Sequence, residues 1–187
     1  MLEGKSLNLR IIEKDDLPLL QEWWNSIEFS GIYNPIDEQR SKTAMEKQLD
    51  KLDPENQWFM IQKKDGSKVG FIGMGKSEFG WQIGYDLIPT ERGKGYCTEA
   101  VQIALDYLFL SKNITRVQAG TFTDNTASQR VLEKNGFKKE GTIRKGILSW
   151  GKWEDVCIYG ILREEWKEPK ILTKTNACKN QQPNSAK

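Results

Sequence analysis

Within WQIGYDLIPTERGKGYCTEAVQIALDYLF, residues 81–109, the apolar spacing changes from every second residue to every third or fourth. Residues 81–87 read as a strand that Pro89 ends. Residues 95–109 read as an amphipathic helix, with Ala100, Ala104, Tyr107 and Leu108 near one face. Residues 115–121 are strand-like again. A strand–helix–strand unit packs its helix on a sheet, which commits the chain to a layered α/β or α+β architecture.

The flanking segments add strands with hairpin signals. LNLRII (residues 7–12) alternates like a strand. Asp15 and Asp16 then offer helix N-caps, Pro18 fits a first turn, and Leu17, Leu20, Trp23 or Trp24, and Ile27 recur at helical spacing. GIYNPID (residues 31–37) reads as a loop and residues 40–51 as a second helix. WFMIQ (residues 58–62) is followed by Asp65-Gly66, a hairpin signal, and residues 68–75 continue as a strand. Asp124 and Asn125 can cap a short helix over residues 126–135, which Gly136 stops. Strands are expected around residues 138–147 and 152–162, in a mixed, mostly antiparallel sheet. Residues 1–166 are expected to form a single domain. The polar tail, residues 167–187, carries Pro169 and Pro183 and is expected to be disordered or loosely packed.

Inventory excludes several functions. The 187 residues carry a formal charge of only +2, without the basic excess of a dedicated nucleic-acid binder. No apolar run approaches the roughly 20 residues of a membrane span, and MLEGKSLNLR lacks the apolar core of a signal peptide. Cys97, Cys157 and Cys178 have the spacing of neither a zinc ribbon nor a disulfide framework, so a reduced, cytoplasmic protein is expected. The chain has no histidine. A Ser-His-Asp triad, a histidine base and the usual zinc sites are therefore absent, and no metal is expected.

The turn between the central strand and helix holds Arg92, Gly93, Lys94 and Gly95. Successive N–H groups in such a turn, with the dipole of the following helix, can converge on a phosphate or pyrophosphate. Glycine lets the backbone approach the anion closely. A solubilising surface turn is the other reading. The sequence is neither a Walker A loop nor a dinucleotide fingerprint.

The run Arg92-Gly93-Lys94-Gly95-Tyr96-Cys97 resembles the R/Q-x-x-G-x-G/A signature of the GNAT superfamily of N-acetyltransferases. Downstream, Asn125-Thr126-Ala127-Ser128 and Arg130-Val131-Leu132-Glu133-Lys134-Asn135-Gly136-Phe137 resemble the N-x-x-S…VLEKxGF segment of its RimJ/RimL-like branch, which is similar to ribosomal-protein-alanine N-acetyltransferases. The early L-x-L-R strand, IGYDLIP before the turn, and Glu164-Glu165-Trp166 fit as well, so the likeness runs from about Ser6 to Trp166. It implies a GNAT-like central sheet of about six or seven strands with about four flanking helices. It also implies acetyl-CoA as cosubstrate and an amine acceptor; a monomer or homodimer is expected, and the charge balance and lack of a long apolar run argue against a nucleic-acid or membrane partner.

By that resemblance the pyrophosphate is held by residues Arg92, Gly93, Lys94, Gly95, Tyr96, Cys97 and Thr98. Leu87 and Ile88 meet the acetyl and pantetheine groups through backbone, and Asn125 meets the pantetheine arm. Arg130 and Lys134, about one turn apart, meet phosphates or remain solvated. Cys97 stands where the signature has Gly or Ala. It is either a small buried residue or a thiol activated at a helix N-terminus.

Acetyl transfer from a thioester to an amine needs a neutral amine, a polarised carbonyl and a stabilised leaving thiolate. The tyrosine acid of many relatives falls at Leu132, and a glutamate used by some falls at Gly120. Ser128 is the candidate to hydrogen-bond the departing sulfur, unless it is only a first-turn serine satisfied by backbone. Among carboxylates near strand ends, Asp86, Glu78 and Asp155, Asp86 is the candidate base through a water; a water relay with no single base is equally open. Tyr33 and Trp81 are candidate walls of an acceptor cleft, with core packing as the other reading, and Asp155 a candidate partner for a substrate ammonium or a strand fixture. A regulatory module that binds acyl-CoA without catalysis remains the alternative.

Overall fold

The computed structural model describes residues 1–33 and 40–172. The chain opens with β1 (Leu2–Glu3) and β2 (Leu7–Ile11), followed by α1 (Leu17–Trp24), α2 (Ile27–Ser30) and α3 (Lys42–Leu49). A meander follows: β3 (Asn56–Lys63), β4 (Lys68–Ser77) and β5 (Gly80–Leu87). Then come α4 (Tyr96–Ser111), β6 (Arg116–Phe122), α5 (Thr126–Lys134), β7 (Lys138–Ser149), β8 (Lys152–Leu162) and α6 (Arg163–Trp166).

The strands make one 8-stranded sheet in the order β1-β2-β3-β4-β5-β6-β8-β7. Every neighbouring pair is antiparallel except β5 and β6. A parallel pair needs a crossover, and α4 supplies it. The architecture is the mixed, mostly antiparallel one expected. Its extra elements are β1, α2 and α6, of 2, 4 and 4 residues, too short to carry a periodic signal.

Alternation along the strands divides the core. Leu9, Ile61, Ile72, Ile83 and Leu87 face α4 and its neighbours, packing with Ala100, Ile103, Ala104 and Leu108. Met60, with Phe71 and Trp58 beside it, faces α1, α2 and α3 and packs with Leu17, Leu20 and Trp23. Trp81 falls on the first face and is 5% exposed within that core. Lys112 Nζ sits 5.5 Å from the centre of its ring.

Three local expectations are corrected. The helical spacing through Ile27 breaks, because α1 ends at Trp24 and Ser26 accepts from the Phe29 N–H to start α2, leaving Ile27 63% exposed. Asp16 stands at the N-cap position of α1 but makes no cap bond. Its carboxylate instead accepts from Arg10, Lys68 and the Glu13 N–H. The second helix is shorter than residues 40–51, since Ser41 caps it at Ala44 and Asp50 closes it.

Beyond α6 the chain is anchored rather than loose as far as Leu172. The buried Asp106 carboxylate of α4 accepts from Trp166 Nε1 and from the N–H groups of Lys170, Ile171 and Leu172. Ile171 is only 2% exposed. The rest of the expected tail, residues 173–187, and the loop residues 34–37 lie outside the described residues.

Candidate active site

β5 and β6 start side by side and then part. Only Trp81 with Val117 and Gln82 with Gln118 are paired. β5 keeps its ladder to β4 as far as Leu87 opposite Gly70, and β6 keeps its ladder to β8 through Phe122. Each strand follows its antiparallel partner, so a wedge opens between residues 84–86 and 120–122. The end of β5 is tied down from outside. Arg92 Nε donates to the Leu87 carbonyl at 3.0 Å and Nη2 to the Phe29 carbonyl at 2.7 Å.

Past β5, Pro89–Glu91 forms a short 3-10 turn and the chain enters the glycine turn. Gly93 and Gly95 have φ of 77° and 86°, where any side chain would be strained. Gly95 is the N-cap of α4, a helix of 16 residues. Among the described residues, none accepts a hydrogen bond from the N–H groups of residues 93–98. This run of open donors at the positive end of a helix dipole is an anion cradle.

The cradle opens on a cavity of about 490 Å³. Its wall along β5 and the turn is Leu87, Arg92, Gly93 and Gly95. Tyr96, Cys97 and Thr98 come from α4, and Asn125, Ser128, Arg130 and Lys134 from the start and exposed side of α5. Burial and the nearby Asp86 charge push the Cys97 thiol up to about 12, against a smaller opposing effect of Arg92. Of the two readings of Cys97, this direction favours the small inert residue, because desolvation disfavours the thiolate.

On the α1–α3 face of the wedge lies a second cavity of about 670 Å³. Glycines 73, 84 and 120 contribute to its lining, and a Cβ at Gly84 would meet nothing within 4 Å. Trp58, Phe71 and Phe122 give it aromatic walls, and Tyr33 packs on Phe122 with ring centres 6.0 Å apart. Tyr33, Tyr85, Asp86, Asn125 and Ser128 border both cavities.

At that border, Asn125 Oδ1 accepts from the Ser128 N–H at 3.0 Å and caps α5. The Tyr85 hydroxyl lies 3.0 Å from Ser128 Oγ and 3.3 Å from the Ser128 carbonyl oxygen. Burial raises the Tyr85 phenol pKa well above its ordinary value, so it stays protonated.

Four sequence candidates line neither of these two cavities. Ile88 packs into the core of the α1–α3 face, and its N–H donates to the Val69 carbonyl at 2.9 Å. Lys94 Nζ pairs with Glu91 at 3.2 Å. Trp81 is core. Asp155 Oδ1 accepts from the Lys145 N–H at 2.8 Å, within the irregular stretch of β7 between Ile143 and Ile147, which is the strand fixture of the two readings. Conversely, Tyr85, Trp58 and Phe71 line the second cavity, although the sequence assigns them no site role. The signal for Tyr85 was a polar-tipped aromatic in the inward register of Ile83 and Leu87 at the open end of a strand.

The model of the acetyltransferase (GNAT) domain family matches residues 6–138. A probable N-acetyltransferase of Bacillus subtilis, YjcK, is 34% identical over 180 residues, covering 88% of this chain and 98% of the relative. The [ribosomal protein uS5]-alanine N-acetyltransferase of Escherichia coli is 30% identical over 84 residues, 45% of this chain and 43% of its own length. Among solved structures, an acetyltransferase of the GNAT family from Bacillus anthracis superposes with a TM-score of 0.75 at 28% identity, covering 88% of this chain and 99% of that one.

Proposed function

The chain belongs to the GNAT acetyltransferase family and is an acetyl-CoA-dependent N-acetyltransferase, and on that premise we propose that it transfers acetyl to a primary amine by direct attack with both substrates bound. The cosubstrate occupies the cavity over α4 and α5, and the amine the cavity on the α1–α3 face. One observation carries this reading: Tyr85, Asp86, Asn125 and Ser128 border both cavities, at the point where β5 and β6 part.

The cosubstrate site fits a pyrophosphate. Open N–H donors of residues 93–98 meet its oxygens, and Arg130 and Lys134 add positive charge from α5. Lys94, paired with Glu91, and Arg92, committed to two carbonyls, shape the turn more than they add charge. Asn125 spends its amide oxygen on the α5 cap and keeps its N–H₂ for a pantetheine carbonyl. Leu87, rather than Ile88, carries the β5 contact to the acyl arm.

Ser128 holds the departing sulfur through a hydrogen bond. Asp86, on the wall of the amine cavity, orders the water that takes the ammonium proton. Trp58 and Phe71 hold the body of the amine beside Tyr33. Positioning of two bound reactants supplies much of the rate. The near-neutral charge of the chain and the unpaired cysteines Cys97 and Cys157 suit a cytoplasmic monomer or homodimer acting on an amine rather than on nucleic acid.

Release of CoA thiol, followed over a panel of small amines and N-terminal peptides, tests the reading. Turnover with at least one amine, reduced at least tenfold in kcat by Ser128→Ala, is expected. Acetyl-CoA binding without turnover across the panel would replace the enzyme by a binding module. Full kcat in Ser128→Ala would remove Ser128 from the mechanism.

A further inference from the structure

A phenol has one hydrogen to give, and a carbonyl can only accept. The Tyr85 hydroxyl stands 3.0 Å from Ser128 Oγ and 3.3 Å from the Ser128 carbonyl. If its hydrogen goes to the carbonyl, the phenol oxygen is left to accept, and the serine hydroxyl can turn back to donate to it. If its hydrogen goes to Oγ, the serine hydrogen is released toward the wedge. The serine rotor therefore has two settings, and the tyrosine selects between them.

We propose that Tyr85 is a positioning residue for acetyl transfer: by donating to Ser128 Oγ, it turns the serine hydrogen toward the departing sulfur. The proposal rests on the role given to Ser128 above. Several features support it. The ring of Tyr85 packs against the core, so its hydroxyl comes from a fixed direction. Burial keeps the phenol protonated, so the donor is always present. The Ser128 N–H is held by Asn125, which leaves the hydroxyl as the movable part. Leu132, one turn further along α5, is buried and apolar and offers no competing hydroxyl. The phenol thus reaches the site from β5 rather than from α5.

The step balances as follows. The amine nitrogen bonds the carbonyl carbon, the carbon–sulfur bond breaks, and sulfur takes the electron pair. The Ser128 hydrogen bonds that sulfur, the surplus proton on nitrogen passes to water beside Asp86, and the thiolate takes a proton from solvent. Tyr85 keeps its hydrogen throughout.

The test is a double-mutant cycle on kcat, with the best amine of the panel, using Tyr85→Phe, Ser128→Ala and the double variant. Tyr85→Phe is expected to lower kcat about fivefold to tenfold, with both KM values within about twofold and the melting temperature unchanged. The double variant is expected to be no slower than Ser128→Ala alone. A slow Ser128→Ala with Tyr85→Phe at the wild-type rate would overturn the positioning role and leave that of Ser128 intact. Losses that multiply in the double variant would overturn it too, as independent effects. A fully active Ser128→Ala, or wild-type enzyme inert on every amine, would overturn both roles.

Discussion

The Arg92 guanidinium donates to the Phe29 carbonyl at 2.7 Å while its Nε donates to the Leu87 carbonyl, so one side chain ties the glycine turn and the end of β5 to α2. Both partners are neutral backbone oxygens. The signature arginine is thus committed to the frame of the site.

Arg92→Ala is expected to destabilise the fold by about 2 kcal/mol, since two charge-assisted bonds are lost. Arg92→Lys keeps the charge but not the fork, and should resemble Arg92→Ala in melting temperature and in KM for acetyl-CoA. If lysine restored both, the charge rather than the geometry would be what the turn needs.

Cys97 should be unreactive. With its thiol pushed up to about 12, the thiolate fraction near pH 8 is about one in ten thousand. Alkylation followed in a Cys178→Ser background should be at least 100-fold slower than that of an unhindered thiol, rising only above about pH 11. Cys97→Ala should keep wild-type kcat. Rapid labelling at neutral pH that acetyl-CoA blocks would contradict this.

In the proposed assignment of the cavities, Gly84 provides room for the amine. A Cβ there meets nothing within 4 Å, so Gly84→Leu should fold and project into the amine cavity. KM for the amine is expected to rise about tenfold or more, with KM for acetyl-CoA unchanged. Equal rises in both constants would show that the two cavities are not separate sites.

Asp16 sets an acid limit. Burial would raise its pKa, but hydrogen bonds from Arg10, the Glu13 N–H and Lys68 bring it from 3.8 to about 2. A lowered pKa contributes stability that is fully present above the unfolded value and lost as pH falls through the folded one. Asp16→Asn should therefore cost about 2 kcal/mol near neutral pH. Urea midpoints of wild type and variant should converge as pH is lowered from about 4 toward 2.

The sequence made the long elements legible. β2 to β8, α4 and α5 each carry enough residues for a period to emerge, and the cap at Asn125 and the stop at Gly136 are local chemistry. The Ser26 cap that splits α1 from α2 is equally local, but was masked by apolar spacing that continued through Ile27. The site divides in the same way. Gly93, Gly95, Asn125 and Ser128 belong to short contiguous runs, whereas the meeting of Tyr85 with Ser128 depends on how far β5 and β6 separate, which no local window contains. Trp81 takes the core reading rather than the cleft one. Its parity with Ile83 and Leu87 already placed it inward, and aromatic character alone does not say which face a residue takes.

β5 also bears on how such an enzyme can diverge. Along its eight residues, Gln82 and Gly84 line only the amine cavity, Tyr85 and Asp86 border both, and Leu87 lines only the cosubstrate cavity. Selection for a new amine can act on the early positions while the late ones stay constant. In the proposed assignment of the two cavities, a gene duplicate could therefore change its acceptor through changes at one end of a single strand and inherit its acetyl donor unaltered.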